Sequence, residues 1–555
     1  MQCLTGGQFR AHRRSHPGSP QVKLDEMKPS PQNPAPEQSP RPRGGLLRSS
    51  AVTGSMTMVS RVLGLARDVV LARMFGPGDG TDAFFLAFKI PNFLRRLFAE
   101  GAFNQAFVPV LSEYRARRSH AEVKQLVDAV AGSLGSVLVL LTLVVVLAAP
   151  LLAIPLAWGF RDNADKFSLF VDMFRITFPY LLLISLAAFA SAILNSYDKF
   201  AIPALTPALL NVALIGAAVL LSPYMDRPEM ALAVGVLIAG IAQLVFQLPA
   251  LARLRLLPIP KLNRQHEGVR RIMTLMIPAL FGVSVSQINL LLDTFIASLL
   301  VSGSVSWLYF SDRLVELPLG IFGIAIATVV LPSLSRKHAD KSLDEFAAML
   351  DWALRMVLLI AVPASLALIL LAQPLIITLF QGQNFSVDDV GKVTSSLQAY
   401  TLGLLAFMAI KIFAPGYYSR QDTRTPVRIG IVAMVANMVM NLVLVFVFDF
   451  GHTGLALATS LAAMLNAGLL LLGLVQQKVF RFQAGWGLFL LRLLLANVLM
   501  GGFLWWLTGD WQDWLDWGTW TRIFWMSVLT FGGLGIYAAS LYASGVRLRH
   551  FQGQS

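Results

Sequence analysis

VLLIAVPASLALILLAQPLIITLF, residues 357–380, runs its whole length without a charged side chain. SVLVLLTLVVVLAAPLLAIPLAW, residues 136–158, does the same. Each exceeds the roughly 20 residues that a helix needs to cross a hydrocarbon layer about 30 Å thick. Inside that layer the backbone must satisfy its own hydrogen bonds, so both stretches are predicted helices. Composition extends the reading to the whole chain of 555 residues. Apolar residues make up 56% and charged residues 14%, against about 25% charged in average soluble domains, and mean hydropathy is +0.64. This is the composition of an all-α polytopic membrane protein.

Residues 1–45 differ. They are rich in Pro, Ser, Gln and Arg, as in SPQNPAPEQSPRPRGG, and such a composition cannot build a core. They are expected to form a disordered cytoplasmic tail or to be upstream sequence read from a mis-called start. No apolar stretch follows the start, so a signal peptide is not expected. Cys3, the single cysteine, leaves no disulfide within the chain. The seven histidines fall in expected tails or loops, which argues against a His-based enzyme site within the membrane.

From Leu46 onward the apolar runs predict about fourteen membrane helices. Their connections alternate in charge. Arg115, Arg117 and Arg118 follow the second, six basic residues from Arg253 to Arg271 follow the sixth, and Arg336, Lys337 and Lys341 follow the eighth. FGPGDGT (75–81) has no basic residue, and GDWQDWLDWGT (509–519) carries only acids. Basic loops stay cytoplasmic, so both termini are expected there, and the net charge of +14 needs no nucleic acid to explain it. A weak echo links VPVLSEYRARR (108–118) to LPSLSRK (331–337). Two pseudo-symmetric six-helix lobes, 46–255 and 256–480, would then be followed by an extra helix pair in 481–555. Repeated halves with a site between them are a transporter design.

Charge inside the membrane gathers in the first helices of each expected lobe. KIPNFLRRLFAEGAF (89–103) holds Lys89, Arg95, Arg96 and Glu100; SRVLGLARD (60–68) holds Arg61, Arg67 and Asp68. Asp82 lies between these two stretches, and Asp293, Asp312, Arg313 and Glu316 occupy the second lobe. Each such charge costs about 2.5–3.5 kcal/mol on insertion scales, so the group belongs in a shared aqueous cavity. Internal pairing is the plain alternative: Arg96 with Glu100, Arg313 with Glu316, and Arg61 with Asp68. Pairing within single helices cannot neutralise Arg61, Arg67, Arg95 and Arg313 together. A surplus of guanidinium implies an anionic ligand, and the planar fork suits phosphate. Gly64, Pro91, Gly101, Pro318, Gly320 and Gly323 lie among these charges, either for packing or to permit bending.

Residues 54–114, beginning GSMTMVSRVLGLARD, together with SGSVSWLYFSDRLVELPLG (302–320) and APGYYSRQDTRTPVRI (414–429), resemble the MurJ/MviN family of bacterial lipid II flippases. The resemblance runs from about Leu46 to near the C-terminus. It implies a fold of the multidrug/oligosaccharidyl-lipid/polysaccharide exporter superfamily and a transporter, not an enzyme. Its substrate would be lipid II, undecaprenyl-diphosphate bearing the peptidoglycan disaccharide-pentapeptide, moved across the inner membrane by alternating access. Arg61, Arg67, Arg95 and Arg313 match substrate-binding positions, and Asp82, Glu100, Ser306 and Glu316 match functional or gating positions, with Asp68 and Asp312 beside them. The last two helices would form a groove for the polyprenyl tail. Asp293, with Asn437 or Asn441, is a candidate cation site; no cofactor is implied beyond a coupling ion such as Na+. Membrane lipids and cell-wall synthesis or division proteins are the other expected partners, in peptidoglycan biosynthesis and cell shape. A flippase for another polyprenyl-diphosphate saccharide is the nearest alternative, and a multidrug exporter, which would favour unpaired carboxylates, is more distant. A polyprenyl-phosphate transferase would need an acid/base or metal constellation, and a membrane scaffold would need no buried charge.

Single cysteines placed in 75–81 and 509–519 are expected to react with an impermeant thiol reagent added from the periplasm. Those placed at 115–118 and 336–341 are expected to stay unlabelled, and the reverse pattern would invert the topology.

Overall fold

A computed structural model describes residues 43–263, 265–323, 330–336 and 342–546; within these, the side chains of 43–53, 98–100, 102, 278–290 and 322–323 are not described. The chain divides into two units, 1–48 and 49–555. The expected tail lies outside the described residues except for its last three, which already belong to a helix, α1 (Arg43–Phe75).

Every regular element among the described residues is helical. After α1 come α2 (Asp79–Arg95), α3 (Asn104–Arg117), α4 (His120–Leu147), α5 (Ala149–Leu156), α6 (Ala164–Thr177), α7 (Tyr180–Ser196), α8 (Ala201–Gly216) and α9 (Met230–Arg253). A second series follows: α10 (Glu267–Ser298), α11 (Ser304–Pro318), α12 (Leu343–Leu370), α13 (Ala372–Leu379), α14 (Val387–Leu402), α15 (Leu404–Tyr418), α16 (Arg424–Leu442) and α17 (Gly451–Gln476). The chain ends in α18 (Trp486–Thr508), the single turn α19 (Asp513–Asp516) and α20 (Thr519–Ala543). Ten helices among the described residues are long and apolar enough to cross a membrane. The charge-bearing α1, α2, α10 and α11 are not among those ten.

The breaks between helices recur. Ala149–Leu156 has its counterpart in Ala372–Leu379, the start of α6 at Ala164 in the start of α14 at Val387, and the start of α8 at Ala201 in that of α16 at Arg424. π-helical segments at Arg96–Phe103 and Ala217–Leu221 recur at Leu319–Gly323 and Val443–Val447. Each pair is separated by roughly 220 residues, the spacing of a repeated half. Proline accounts for some of these breaks: Pro150 stands in the first turn of α5, Pro179 precedes α7, and Pro318 closes α11. A residue without an N–H cannot continue the ladder but can begin a new one. π-segments widen a helix by one residue per turn and gather at functional places; two of these four adjoin the charged helices.

Apolar burial follows from the membrane environment. Leu140, Leu143, Leu147 and Leu151 on α4 and α5, and Leu494, Leu495 and Val498 on α18, are exposed where a soluble protein would cover them. Inside, Phe84, Phe170, Phe174, Phe178 and Phe310 belong to one buried cluster that spans both halves. The C-terminal pair docks on the second half: α18 and α20 pack together, α18 lies on α12 and α20 on α13. Arg522 fixes this contact, donating to the Trp514 carbonyl at 2.7 Å, the Leu515 carbonyl at 2.8 Å and Gln381 Oε1 at 2.7 Å.

Helices approach closely where glycine stands. A Cβ on Gly159 would lie 2.0 Å from the Ser298 carbonyl oxygen at the end of α10. Gly159→Ala must therefore push backbone from backbone. It is expected to destabilise the protein by about 1–3 kcal/mol, read as a lower unfolding temperature of the purified chain in detergent.

Candidate functional site

Arg67, in the C-terminal third of α1, cannot face hydrocarbon, and its hydrogen bonds show where it goes. Its guanidinium reaches the Asp68 carboxylate at 2.6 Å, the Asn211 side-chain oxygen on α8 at 3.1 Å and the Tyr309 hydroxyl on α11 at 2.8 Å. Tyr309 in turn donates to Asp68 at 3.0 Å. The Tyr309 ring stacks on Phe85 of α2, with centroids 3.8 Å apart, and the Arg313 guanidinium carbon stands 4.9 Å from its centre. One tyrosine thus joins α1, α2 and α11. Asp68 goes to Arg67 and Tyr309, not to Arg61, its expected partner. Arg61 instead lies against the helix backbone of the partner half: a Cβ on Gly320 would fall 1.8 Å from its Nη1.

Beside this network is a cavity of about 350 Å³ between the halves. Arg67, Lys89, Arg95, Arg96 and Arg313 line it, as do Asp293, Asp312 and Glu316. The expected pair of Arg313 with Glu316 forms, and Arg95 donates to Asn92 at 2.8 and 3.0 Å. Five cations face three lining carboxylates, and Asp68 beside Arg67 makes a fourth. Among the described residues the cationic surplus is therefore one charge, smaller than the sequence suggests, because Asp68 and Glu316 each neutralise an arginine of their own helix. Arg61 is outside the lining, and the side chain of Glu100, with its expected pairing to Arg96, lies outside the described residues.

Asp82 and Ser306 meet elsewhere, in the first turn of α2. Asp82 is 1% exposed. Its carboxylate accepts from the backbone N–H of Gly303 at 2.7 Å, from the N–H and hydroxyl of Ser306 at 2.9 and 2.7 Å, and from Lys166 Nζ at 3.1 Å. Gly303 has φ +94° and α11 has no capping side chain of its own, so Asp82 supplies the cap from the other half. Lys166 also pairs with Asp79 at 2.8 Å, and Ser302 donates to Asp79 at 2.5 Å. Nearby, Arg73 donates to the carbonyls of Thr378 and Leu379, and Asn384 to those of Arg73 and Met74. The two halves are sealed together at this end.

Asp293 lies against α16, where Asn441 donates to its carboxylate at 2.6 Å and to Asn437 at 3.1 Å. The oxygens of Asp293 and Asn437 form a hard donor set suited to a cation, with the Asn441 N–H now turned to the carboxylate. Among the described residues no three His, Cys, Asp or Glu side chains group as metal ligands. His452, expected in a loop, sits buried in the first turn of α17 against Trp307, with Nε2 3.1 Å from the Lys392 carbonyl.

The family model "Lipid II flippase MurJ" matches residues 71–524. A "Probable lipid II flippase MurJ" of Vibrio cholerae is 49% identical, over 91% of this chain and 97% of that protein. A "Lipid II flippase MurJ" of Burkholderia cenocepacia is 40% identical, over 91% and 99%. Among solved structures, "Lipid II flippase MurJ, inward closed conformation" aligns with a TM-score of 0.74 at 27% identity, covering 90% of this chain and all of that one. An inward-facing MATE family transporter of the MOP superfamily aligns at 0.60 and 15% identity, over 77% and 98%, a likeness of fold alone.

The chain belongs to the lipid II flippase MurJ family.

With its apolar helices, that membership makes it a multi-pass inner-membrane protein. Against the MurJ-family residues expected from sequence, the structure adds Tyr309, Asn211, Lys166, Asp79 and Ser302. Tyr309 and Asn211 carry no charge, so no insertion cost flags them. Lys166 and Asp79 stand at helix ends, where a charge passes for a loop residue. Removing the Asp82 charge is expected to loosen the seal. In an Asp82→Asn background, a cysteine replacing the buried Val305 should react faster with an impermeant thiol reagent added from the 75–81 side; an unchanged rate would mean that Asp82 does not hold the halves together.

Proposed function

We propose that this chain flips lipid II from the inner to the outer leaflet of the bacterial inner membrane by alternating access, with the central cavity holding the diphosphate-linked head group. The observation that carries the reading is a cavity between the two halves whose described lining is net cationic, with the halves joined at the Asp82 end by a set of hydrogen bonds and ion pairs. Arg313 adds to it a buried Nε with no acceptor among the described residues, a donor suited to a ligand oxygen. Family membership names the lipid. Phosphate oxygens would take the planar donors of Arg67, Arg95 and Arg313, while Arg61 would stand at the lateral contact between α1 and the π-segment after Pro318.

Loop charges support cytoplasmic termini; with that orientation the Asp82 contacts would lie on the periplasmic side, and this state would be closed to the periplasm. Release there requires Asp82 to leave Gly303 and Ser306. Opposite rotation of lobes 46–255 and 256–480 would accomplish this, with α18 and α20 guiding the polyprenyl tail. Asp312 and Glu316 would balance the arginines when no lipid is bound, and Glu100 stands with them as a functional position. Asp293, Asn437 and Asn441 would hold a coupling cation such as Na+ once the Asn441 amide turns its oxygen inward.

Leaflet-specific detection of lipid II in cells depleted of the native flippase tests this reading. Arg67→Ala and Arg313→Ala are expected to abolish translocation at normal protein levels, and Lys at either site to rescue only partly. A lost charge-assisted hydrogen bond of about 1.5–3 kcal/mol corresponds to roughly ten- to hundredfold in affinity. The double variant Arg313→Ala/Glu316→Gln separates ligand binding from charge balance: recovery of transport would reduce Arg313 to the partner of Glu316, and continued failure supports contact with substrate.

A further inference from the structure

A second cavity, of about 700 Å³, lies wholly within the first half, between α3, α7, α8 and α9. It is twice the central cavity in volume and falls in the roughly 300–1,000 Å³ range of small-molecule sites. Arg95 and Leu210 line both, so the two cavities adjoin on either side of that arginine. Apart from Arg95, no charged residue lines it among the described residues.

Its polar wall is built from amides and hydroxyls. Tyr180 donates to Gln243 at 3.3 Å, and Gln243 donates to the Thr206 carbonyl at 3.1 Å. Ser191 donates to Gln247 at 2.9 Å, and Gln247 to the Ala187 carbonyl at 3.0 Å. This ladder orients the wall, and its hydroxyl and amide oxygens each keep a lone pair with which to accept a further hydrogen bond. The buried side-chain oxygen of Asn104 accepts nothing among the described residues, so it offers an acceptor to whatever enters. Ala187, Ala188 and Leu210 supply the small apolar surface between these groups. Ser112, Asn195 and Ser196 line it toward the C-terminal ends of α3 and α7; there Arg115 hydrogen-bonds the Ser196 carbonyl and stands 4.6 Å over the Tyr197 ring.

An anion inside this pocket would meet one cation at its inner edge and otherwise be desolvated, whereas a neutral hydroxyl- or amide-bearing group finds matching partners. The geometry points to a bipartite head-group site: the anionic part sits in the central cavity, and an uncharged, hydroxyl- and amide-rich segment of the same head group sits in this side pocket, with Arg95 at the joint. The inference rests on the flippase reading and extends it to selectivity. A pocket built to pair polar groups rejects a ligand that lacks them.

The test uses the full chain in nanodiscs and two pocket variants: Ala188→Phe, which fills the space, and Asn104→Leu, which removes the acceptor. Binding is measured for lipid II and for bare undecaprenyl diphosphate. Both variants should weaken lipid II about tenfold, leave the bare diphosphate lipid unchanged and keep the unfolding temperature of the unaltered protein. Equal weakening of both lipids, or no weakening of lipid II by Asn104→Leu, overturns the proposal; if Ala188→Phe does not accumulate, Asn104→Leu decides alone. Two further ligands, one lacking the pentapeptide and one carrying a single sugar, assign the pocket to the part whose removal abolishes the variants' effect. Arg67→Ala and Arg313→Ala run in parallel: their failure to weaken the bare diphosphate lipid would strike the flippase reading itself, whatever the pocket variants do.

Discussion

A guanidinium cannot be left facing hydrocarbon, and the arrangement of this protein follows from that constraint. Arg67 on α1 is stable only because Asp68, Asn211 and Tyr309 surround it, and those three come from α1, α8 and α11. The bond network therefore dictates which helices meet. Tyr309 has the largest share, since its hydroxyl serves Arg67 and Asp68 while its ring lies between Phe85 and Arg313. An apolar residue there would leave two buried charges with fewer partners, which is why a tyrosine, apolar in body and polar at its tip, stands at this helix contact.

The helical class and most helix positions were legible because hydrocarbon imposes a length and forbids charge. Residues 136–158 and 357–380 could be nothing but spanning segments, yet their breaks at Ala148 and Leu371 were invisible, since an apolar run reads the same whether continuous or kinked. The repeat was visible in sequence only as a short Pro-x-Leu-Ser echo; in the structure, recurring breaks and π-segments carry it. Side-chain chemistry is free to drift wherever backbone geometry is kept.

The candidate site was legible in part for the same reason. Charges in apolar surroundings announce themselves, so Arg67, Asp82 and Arg313 stood out. What sequence could not tell was that Asp82 and Ser306 belong to a seal and not to the cavity, since partner choice across 224 positions of chain leaves no local pattern. The neutral side pocket was also hidden. Its glutamines, serines and threonine are unremarkable one by one, and only the folding of α7, α8 and α9 against each other gathers them.

The helix that begins at Ser304 has no cap of its own and borrows one from Asp82. Its first turn is therefore complete only while the two halves touch, and separation would strip the N–H groups of Gly303 and Ser306 of their acceptor. Buried in lipid, such a helix end would be intolerable; at the membrane face, water can hydrate it at once. Depth would therefore decide whether such a seal could reopen: the same bonds drawn a few turns further into a bilayer would weld the halves shut. Near the surface, solvent would be the alternative ligand of α11, and the balance between one carboxylate and a few water molecules would set how readily that end parts.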